Sequence, residues 1–115
     1  MNRIREEYQL PSHMWDEEKQ TAVFTVEGEL DHHGARPVRE EIDRVIGKYR
    51  PVTVVLDLKN VTFMDSAGIG LILGRYAKVT GYGGTLILRS PTGEIMKMLR
   101  LAGMDRLLQI KYPKE

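Results

Sequence analysis

The sequence predicts one α/β domain built on a mixed, mostly parallel sheet of about five strands with three or more helices. Two observations lead to this fold class. Some segments alternate apolar and polar residues, as a strand does, and others repeat apolar residues at helical spacing. These segments follow one another in the order strand, strand, helix, strand, helix, strand, helix, strand, with connections long enough for parallel pairing after an opening hairpin. The 115 residues suffice for one core, so we expect a single domain over residues 1–115.

The first half of the chain is predicted to contain two strands and a helix. Alternation of apolar residues predicts an edge strand that closes at Pro11, a polar loop to Gln20, and a second strand that ends near Gly28. After Ala35 the apolar residues recur at helical spacing, and Pro37 suits the first turn of a helix. The residues expected on the buried side of these elements are Ile4, Tyr8, Leu10, Ala22, Phe24, Val26, Val38, Ile42, Val45, Ile46 and Tyr49.

The second half of the chain is predicted to contain three strands and two helices. Residues 52–58 are almost continuously apolar and β-branched, which is typical of a central strand buried on both faces. A helix is predicted from Ser66 to Gly81, and short apolar runs at 85–89 and 107–110 predict strands on either side of a third helix. The residues expected to be buried in the two helices are Ile69, Ile72, Leu73, Tyr76, Ala77, Ile95, Met98, Leu99 and Ala102.

Composition narrows the possible functions. The chain has no cysteine, which excludes disulfides, thiolate metal sites and cysteine nucleophiles and fits a reducing compartment. The net charge is +1 with both signs interspersed, so we expect no direct DNA binding and no anionic membrane surface as partner. No apolar stretch approaches the roughly 20 residues that span a bilayer, and no signal-peptide segment follows Met1. We therefore expect a cytoplasmic protein.

Ser66 lies where an apolar strand pattern ends and a helical pattern begins. The simplest interpretation is helix capping by Asp65 or Ser66, because both residue types accept hydrogen bonds from the amides of a first turn. Gly68 and Gly70 favour a further role, since each costs a helix about 0.5 to 1 kcal/mol relative to Ala and leaves the backbone open to a partner or a phosphate. Leu71 stands off the apolar stripe and is predicted to point away from the core as a contact.

Other chemistries fit the sequence poorly. A P-loop would need a Gly-Lys-Ser/Thr sequence after the glycines, and a hydrolase elbow would need Gly-x-Ser-x-Gly around Ser66. Asp31, His32 and His33 lack the spacing of a metal site, so they are interpreted as a polar loop with a helix cap. We therefore predict no catalytic residue, no metal and no cofactor. Because ligands of such sheets bind where strands end and helices begin, Asp31 and Ser66 are expected to lie at one edge.

Two segments carry a resemblance to a known family. They are Gly28–His33, with the sequence Gly-Glu-Leu-Asp-His-His, and Leu56–Tyr76, which contains Phe-Met-Asp-Ser-Ala-Gly-Ile-Gly-Leu. Together they resemble the anti-sigma factor antagonists of the STAS-domain family, and most of all the sporulation type. The resemblance extends from about Thr21 to Ile110 and implies a STAS-type fold.

The resemblance also implies a mechanism in which the protein is not an enzyme. The unphosphorylated antagonist binds an anti-sigma factor serine kinase and so releases a sigma factor, phosphorylation of the serine that matches Ser66 ends the binding, and a serine phosphatase acting on phospho-Ser66 restores it. Asp31 and Gly68 match family positions of the contact. Together with Ser66, the partner-binding candidates are Asp31, Asp65, Gly68, Leu71 and Arg75. The alternative is a STAS scaffold or ligand-sensing module of another signalling complex, such as a stress-response assembly.

Overall fold

The computed structural model describes residues 11–113 and has the α/β order that the sequence predicts. Five strands and three helices follow one another along this part of the chain. They are β1 (Ser12–Asp16), β2 (Thr21–Leu30), α1 (Ala35–Tyr49), β3 (Thr53–Met64), α2 (Ser66–Gly81), β4 (Thr85–Arg89), α3 (Gly93–Leu101) and β5 (Gln109–Lys111).

The strands form one sheet in the order β1-β2-β3-β4-β5. β1 pairs antiparallel with β2, whereas the other three neighbouring pairs are parallel. This is the mixed, mostly parallel sheet that was predicted. Its parallel strands all end at the same edge, and the loops to α1 and α2 leave from that edge.

The edge strand differs from the prediction. The predicted strand before Pro11 lies outside the described residues, and β1 occupies a stretch that was predicted to be a loop. Pairing with β2 and contacts with α1 stabilise this strand, because the Trp15 ring stacks on Tyr49 with 4.7 Å between centroids. The Nδ1 atom of His13 also lies 3.8 Å from Oε2 of Glu41.

One hydrophobic core joins the helices to alternate residues of the strands. The alternation predicted for β2 and the helical stripe predicted for α1 are confirmed, with Tyr49 half-buried at the end of the stripe. β3 is longer than predicted and continues to Met64. Among the most buried core residues are Ala22, Phe24, Leu30, Ile42, Val45, Val54, Leu56, Leu58, Ile72, Val79, Leu88 and Leu99.

α2 has a different rotation about its axis from the one that the sequence predicts. Leu73 and Ala77 were expected in the core, but both are exposed, and 38% of Leu73 is accessible to solvent. Leu71 was expected to point outward and is buried, with 4% exposed. In α3 the predicted Ile95 and Leu99 are buried, whereas the helix ends at Leu101 and leaves Ala102 exposed, so the buried stripe is one turn shorter than predicted.

Candidate functional site

The two strand-to-helix junctions lie side by side. In the parallel ladder Leu30 of β2 pairs with Met64 of β3, and these are the last residues of both strands. The residues that follow them, Asp31 and Asp65, therefore leave the sheet next to each other. The amide of Asp65 also donates a hydrogen bond to the carbonyl of Leu30 at 3.4 Å. The predicted proximity of the Asp31 loop to the Ser66 junction is confirmed by this register.

Asp65, and not Ser66, is the N-cap of α2. Asp65 has an extended backbone, with φ −118° and ψ −163°, and its Oδ1 accepts a hydrogen bond from the amide of Ala67 at 2.8 Å. Ser66 is the first helical residue and is exposed. Its hydroxyl takes part in none of the hydrogen bonds found within residues 11–113. Because the neighbouring carboxylate caps the helix through the Ala67 amide, the Ser66 hydroxyl remains available at the surface.

Asp31 organises the turn that precedes α1. Its Oδ1 accepts hydrogen bonds from the amides of Gly34 at 2.8 Å and His33 at 3.0 Å, and its carbonyl accepts one from Ala35 at 2.8 Å. These amides, with that of Gly34 first, lower the pKa of Asp31 below its ordinary value of 3.8. The carboxylate therefore stays ionised at neutral pH. Its second oxygen makes no hydrogen bond to the rest of the described chain. This oxygen can therefore accept a hydrogen bond from a partner.

Gly68 is a packing residue. It is buried, and a Cβ atom built there would lie 2.7 Å from the carbonyl oxygen of Leu30 and would overlap Cγ of Met64. Only glycine lets α2 approach the ends of β2 and β3 this closely. The expectation of an open backbone is wrong for Gly68, while Gly70 is exposed and has open space around it.

Leu71 and Arg75 follow Gly68 on the same buried side of α2. The prediction that Leu71 points away from the core is wrong, because the close approach at Gly68 turns this side of the helix inward. Arg75 is 5% exposed, and its Nε lies 3.0 Å from Oδ1 of Asp43 on α1. Burial lowers the pKa of Arg75 below its ordinary value, repulsion from Arg39 acts in the same direction, and Asp43 opposes both. Leu71 therefore presents no exposed side chain to a partner.

A groove that the sequence analysis missed runs between α1 and α2 beside Ser66. Its volume is about 590 Å³. Small residues of α2 form one wall, and long cationic residues of α1 stand on the other. The sequence signal for this groove was the spacing of the small residues Ala67, Gly70 and Gly74, which are three and four positions apart and so share one side of the helix. The lining residues are His32, Ala35, Arg36, Arg39, Ala67, Gly70, Leu71, Gly74 and Arg75.

Within residues 11–113 no three His, Cys, Asp or Glu residues are grouped as metal ligands would be. The helices that the structure describes are too short or too polar to cross a bilayer.

Comparison with known proteins identifies the family. Residues 14–113 match the STAS domain, and the chain belongs to the STAS-domain family. It is 35% identical to the anti-sigma F factor antagonist of Paenibacillus polymyxa over 88 residues, which are 76% of this chain and 75% of that protein. The structure of the unphosphorylated anti-sigma factor antagonist SpoIIAA is similar, with a TM-score of 0.77 at 28% identity over 91% of this chain and 89% of the other.

The fold also resembles a phosphorylated relative. The Bacillus cell fate determinant SpoIIAA in its phosphorylated form has a TM-score of 0.71 and 28% identity, over 91% of this chain and 92% of the other. The predicted STAS-type fold is therefore confirmed.

Proposed function

We propose that this chain is an anti-sigma factor antagonist that binds an anti-sigma factor serine kinase and so frees a sigma factor, until phosphorylation of Ser66 ends the binding. A serine phosphatase acting on phospho-Ser66 would restore the active form. The observation that carries the proposal is the exposed Ser66 hydroxyl, which Asp65 leaves free by taking the N-cap position. A kinase can modify this hydroxyl without removing the cap.

The charge around Ser66 explains how a phosphate would act. It would add about −1.5 to −2 charges beside the Asp65 carboxylate, at the edge where Asp31 also leaves the sheet. The added negative charge would repel acidic groups of a partner, and the phosphate would lose hydration on docking. Both effects would oppose docking of a partner on this edge. The first turn of α2 would tolerate the phosphate, because a helix N-terminus stabilises negative charge by about 0.3 to 1 kcal/mol. Phosphorylation is therefore expected to change the docking surface and to leave the fold intact.

The relatives support this proposal at the level of the protein class. The Paenibacillus relative is an anti-sigma F factor antagonist, and SpoIIAA has been solved in phosphorylated and unphosphorylated forms. Both facts fit a regulatory protein that alternates between two phosphorylation states and is not itself an enzyme. Asp31 is proposed as a partner contact through its free carboxylate oxygen, and Asp65 as the residue that keeps Ser66 accessible.

The test is binding and phosphorylation by the anti-sigma F factor of Paenibacillus polymyxa. Wild type, Ser66→Ala and Ser66→Asp are titrated with that protein in a calorimeter and then incubated with it and ATP. We expect labelling of wild type alone, binding by Ser66→Ala, and at least about tenfold weaker binding by Ser66→Asp.

Ser12 provides matched controls, because it is an exposed serine on the edge strand β1 and not at a strand-to-helix junction. Ser12→Ala and Ser12→Asp should bind and be labelled as wild type is. Absence of labelling on wild type, or equal binding by Ser66→Asp and wild type, would contradict the proposed function.

A further inference from the structure

α2 contains two glycines that its packing does not require. A Cβ atom at Gly70 or at Gly74 would meet no atom within 4 Å, in contrast to Gly68. Glycine is a poor helix former, so each of these positions weakens the helix with no packing gain within the described chain. Both glycines line the groove between α1 and α2. Because neither residue has a side chain, the backbone of another segment can lie directly against α2 in the groove.

Arg75, in the same groove, is a buried cation with unused donors. Only 5% of the residue is exposed, and it lines the groove beside Gly74. Its Nε is near Asp43 but outside hydrogen-bond geometry, and its Nη1 has no hydrogen-bond partner within residues 11–113. Buried donors are normally satisfied, and a guanidinium has five of them. The groove therefore contains a donor group that lacks an acceptor.

The α1 side of the groove adds positive charge. Arg39 is exposed and forms no ion pair within the described part of the chain. Arg36 also lines the groove, where its Nε lies 3.3 Å from Oε2 of Glu40. Arg75 lines the groove as well and has Asp43 as its counter-charge, so the groove has an excess of cations. Its charge is complementary to an acidic group.

We propose that this groove binds an acidic segment of the protein partner, with the segment's backbone against Gly70 and Gly74 and a carboxylate paired with Arg75 and Arg39. The proposal rests on the proposed function, because the partner is the kinase that docks at Ser66. Gly70 lies one helical turn after Ser66 and Gly74 lies two turns after it, so a single segment can cover the groove while the kinase reaches the serine. The groove supplies affinity, and Ser66 supplies the switch.

The experiment compares groove variants with matched controls in the same calorimetric titration with the anti-sigma F factor of Paenibacillus polymyxa. Gly74→Leu fills the groove, and Gly47→Leu adds the same side chain at an exposed glycine of α1 that also has open space. Arg39→Glu reverses a charge of the groove, and Lys97→Glu reverses an exposed charge on α3. Thermal melting and circular dichroism establish that every variant is folded. Gly74→Ala serves as a milder second variant.

We expect Gly74→Leu and Arg39→Glu to bind at least about tenfold more weakly than wild type, and the two controls to stay within about twofold. Added salt should weaken wild-type binding, and Arg39→Glu should depend less on salt. If the groove variants bind as wild type does while Ser66→Asp does not, the groove proposal is wrong and the proposed function stands. If wild type itself does not bind, the proposed function fails and the groove proposal fails with it. A wild-type dimer in sedimentation that Gly74→Leu dissociates would assign the groove to a second copy of this chain and overturn the acidic segment.

Discussion

The two sides of α2 follow different rules although they belong to one helix. The inner side is packed for folding, since Gly68, Leu71 and Arg75 are buried against strand ends and α1. The outer side exposes Ser66 and Leu73 and retains glycine where a larger residue would fit. Close packing against the strand ends explains Gly68 on the inner side. The residues of the outer side require a different explanation, and a docking surface beside a modifiable serine provides one.

The largest effect is expected at the inner glycine. Gly68→Ala should destabilise the protein by about 1 to 3 kcal/mol, because the new Cβ would press on the carbonyl of Leu30 and on Met64. The free energy of unfolding is measured by urea titration. An unchanged value for Gly68→Ala would show that α2 can move away from the strands without cost, and the distinction between the two sides of the helix would be lost.

The next effect separates the two neighbouring residues of the junction. Asp65→Ala removes the cap and should lower the free energy of unfolding by about 0.5 to 2 kcal/mol. Ser66→Ala removes an exposed hydroxyl that has no partner in residues 11–113, so its effect should stay within about 0.5 kcal/mol. Urea titration of both variants is the measurement. A larger loss for Ser66→Ala than for Asp65→Ala would return the capping role to the serine.

A gain in stability is expected on the outer side. Gly70→Ala should raise the free energy of unfolding by about 0.5 to 1 kcal/mol, because alanine favours the helix and its Cβ meets no other atom within 4 Å. Melting and urea titration of Gly70→Ala beside Gly68→Ala compare two glycines on opposite sides of α2. Destabilisation by Gly70→Ala would mean that this position, too, is required by the fold.

The smallest effect is expected at the junction between β2 and α1, where the Asp31 carboxylate accepts hydrogen bonds from the turn that precedes the helix. The lowered pKa of Asp31 means that its stabilising contribution is present above pH 3.8 and is lost as the pH falls through the pKa in the folded state. Asp31→Asn should therefore lose less stability than wild type between about pH 5 and about pH 2. Melting temperatures over this range test it. Asp105→Asn is the control, since Asp105 is exposed and makes no hydrogen bond in the described chain. Equal acid sensitivity of Asp31→Asn and wild type would contradict the proposed stabilisation of the turn by the Asp31 carboxylate.

Sequence periodicity was sufficient for the elements that bury one face. Ala22, Phe24 and Val26 alternate in β2, and the apolar stripe of α1 has a helical period, so both could be predicted locally. β1 could not, because this edge strand depends on pairing with β2 and on the packing of Trp15 against Tyr49. Tyr49 is distant in sequence from Trp15, and no local pattern in residues 12–16 identifies this contact.

The sequence alone determined the order of the elements and the position of the candidate serine at a strand-to-helix junction. It also placed Asp31 and Ser66 at one sheet edge, because parallel strands share the edge at which they end. The tertiary structure decided which side of α2 faces the core. That rotation depends on the contact of Gly68 with Leu30 and Met64, and it buries Leu71 while leaving Ser66 exposed. Packing between strands and helix sets this angle, and helical period alone does not.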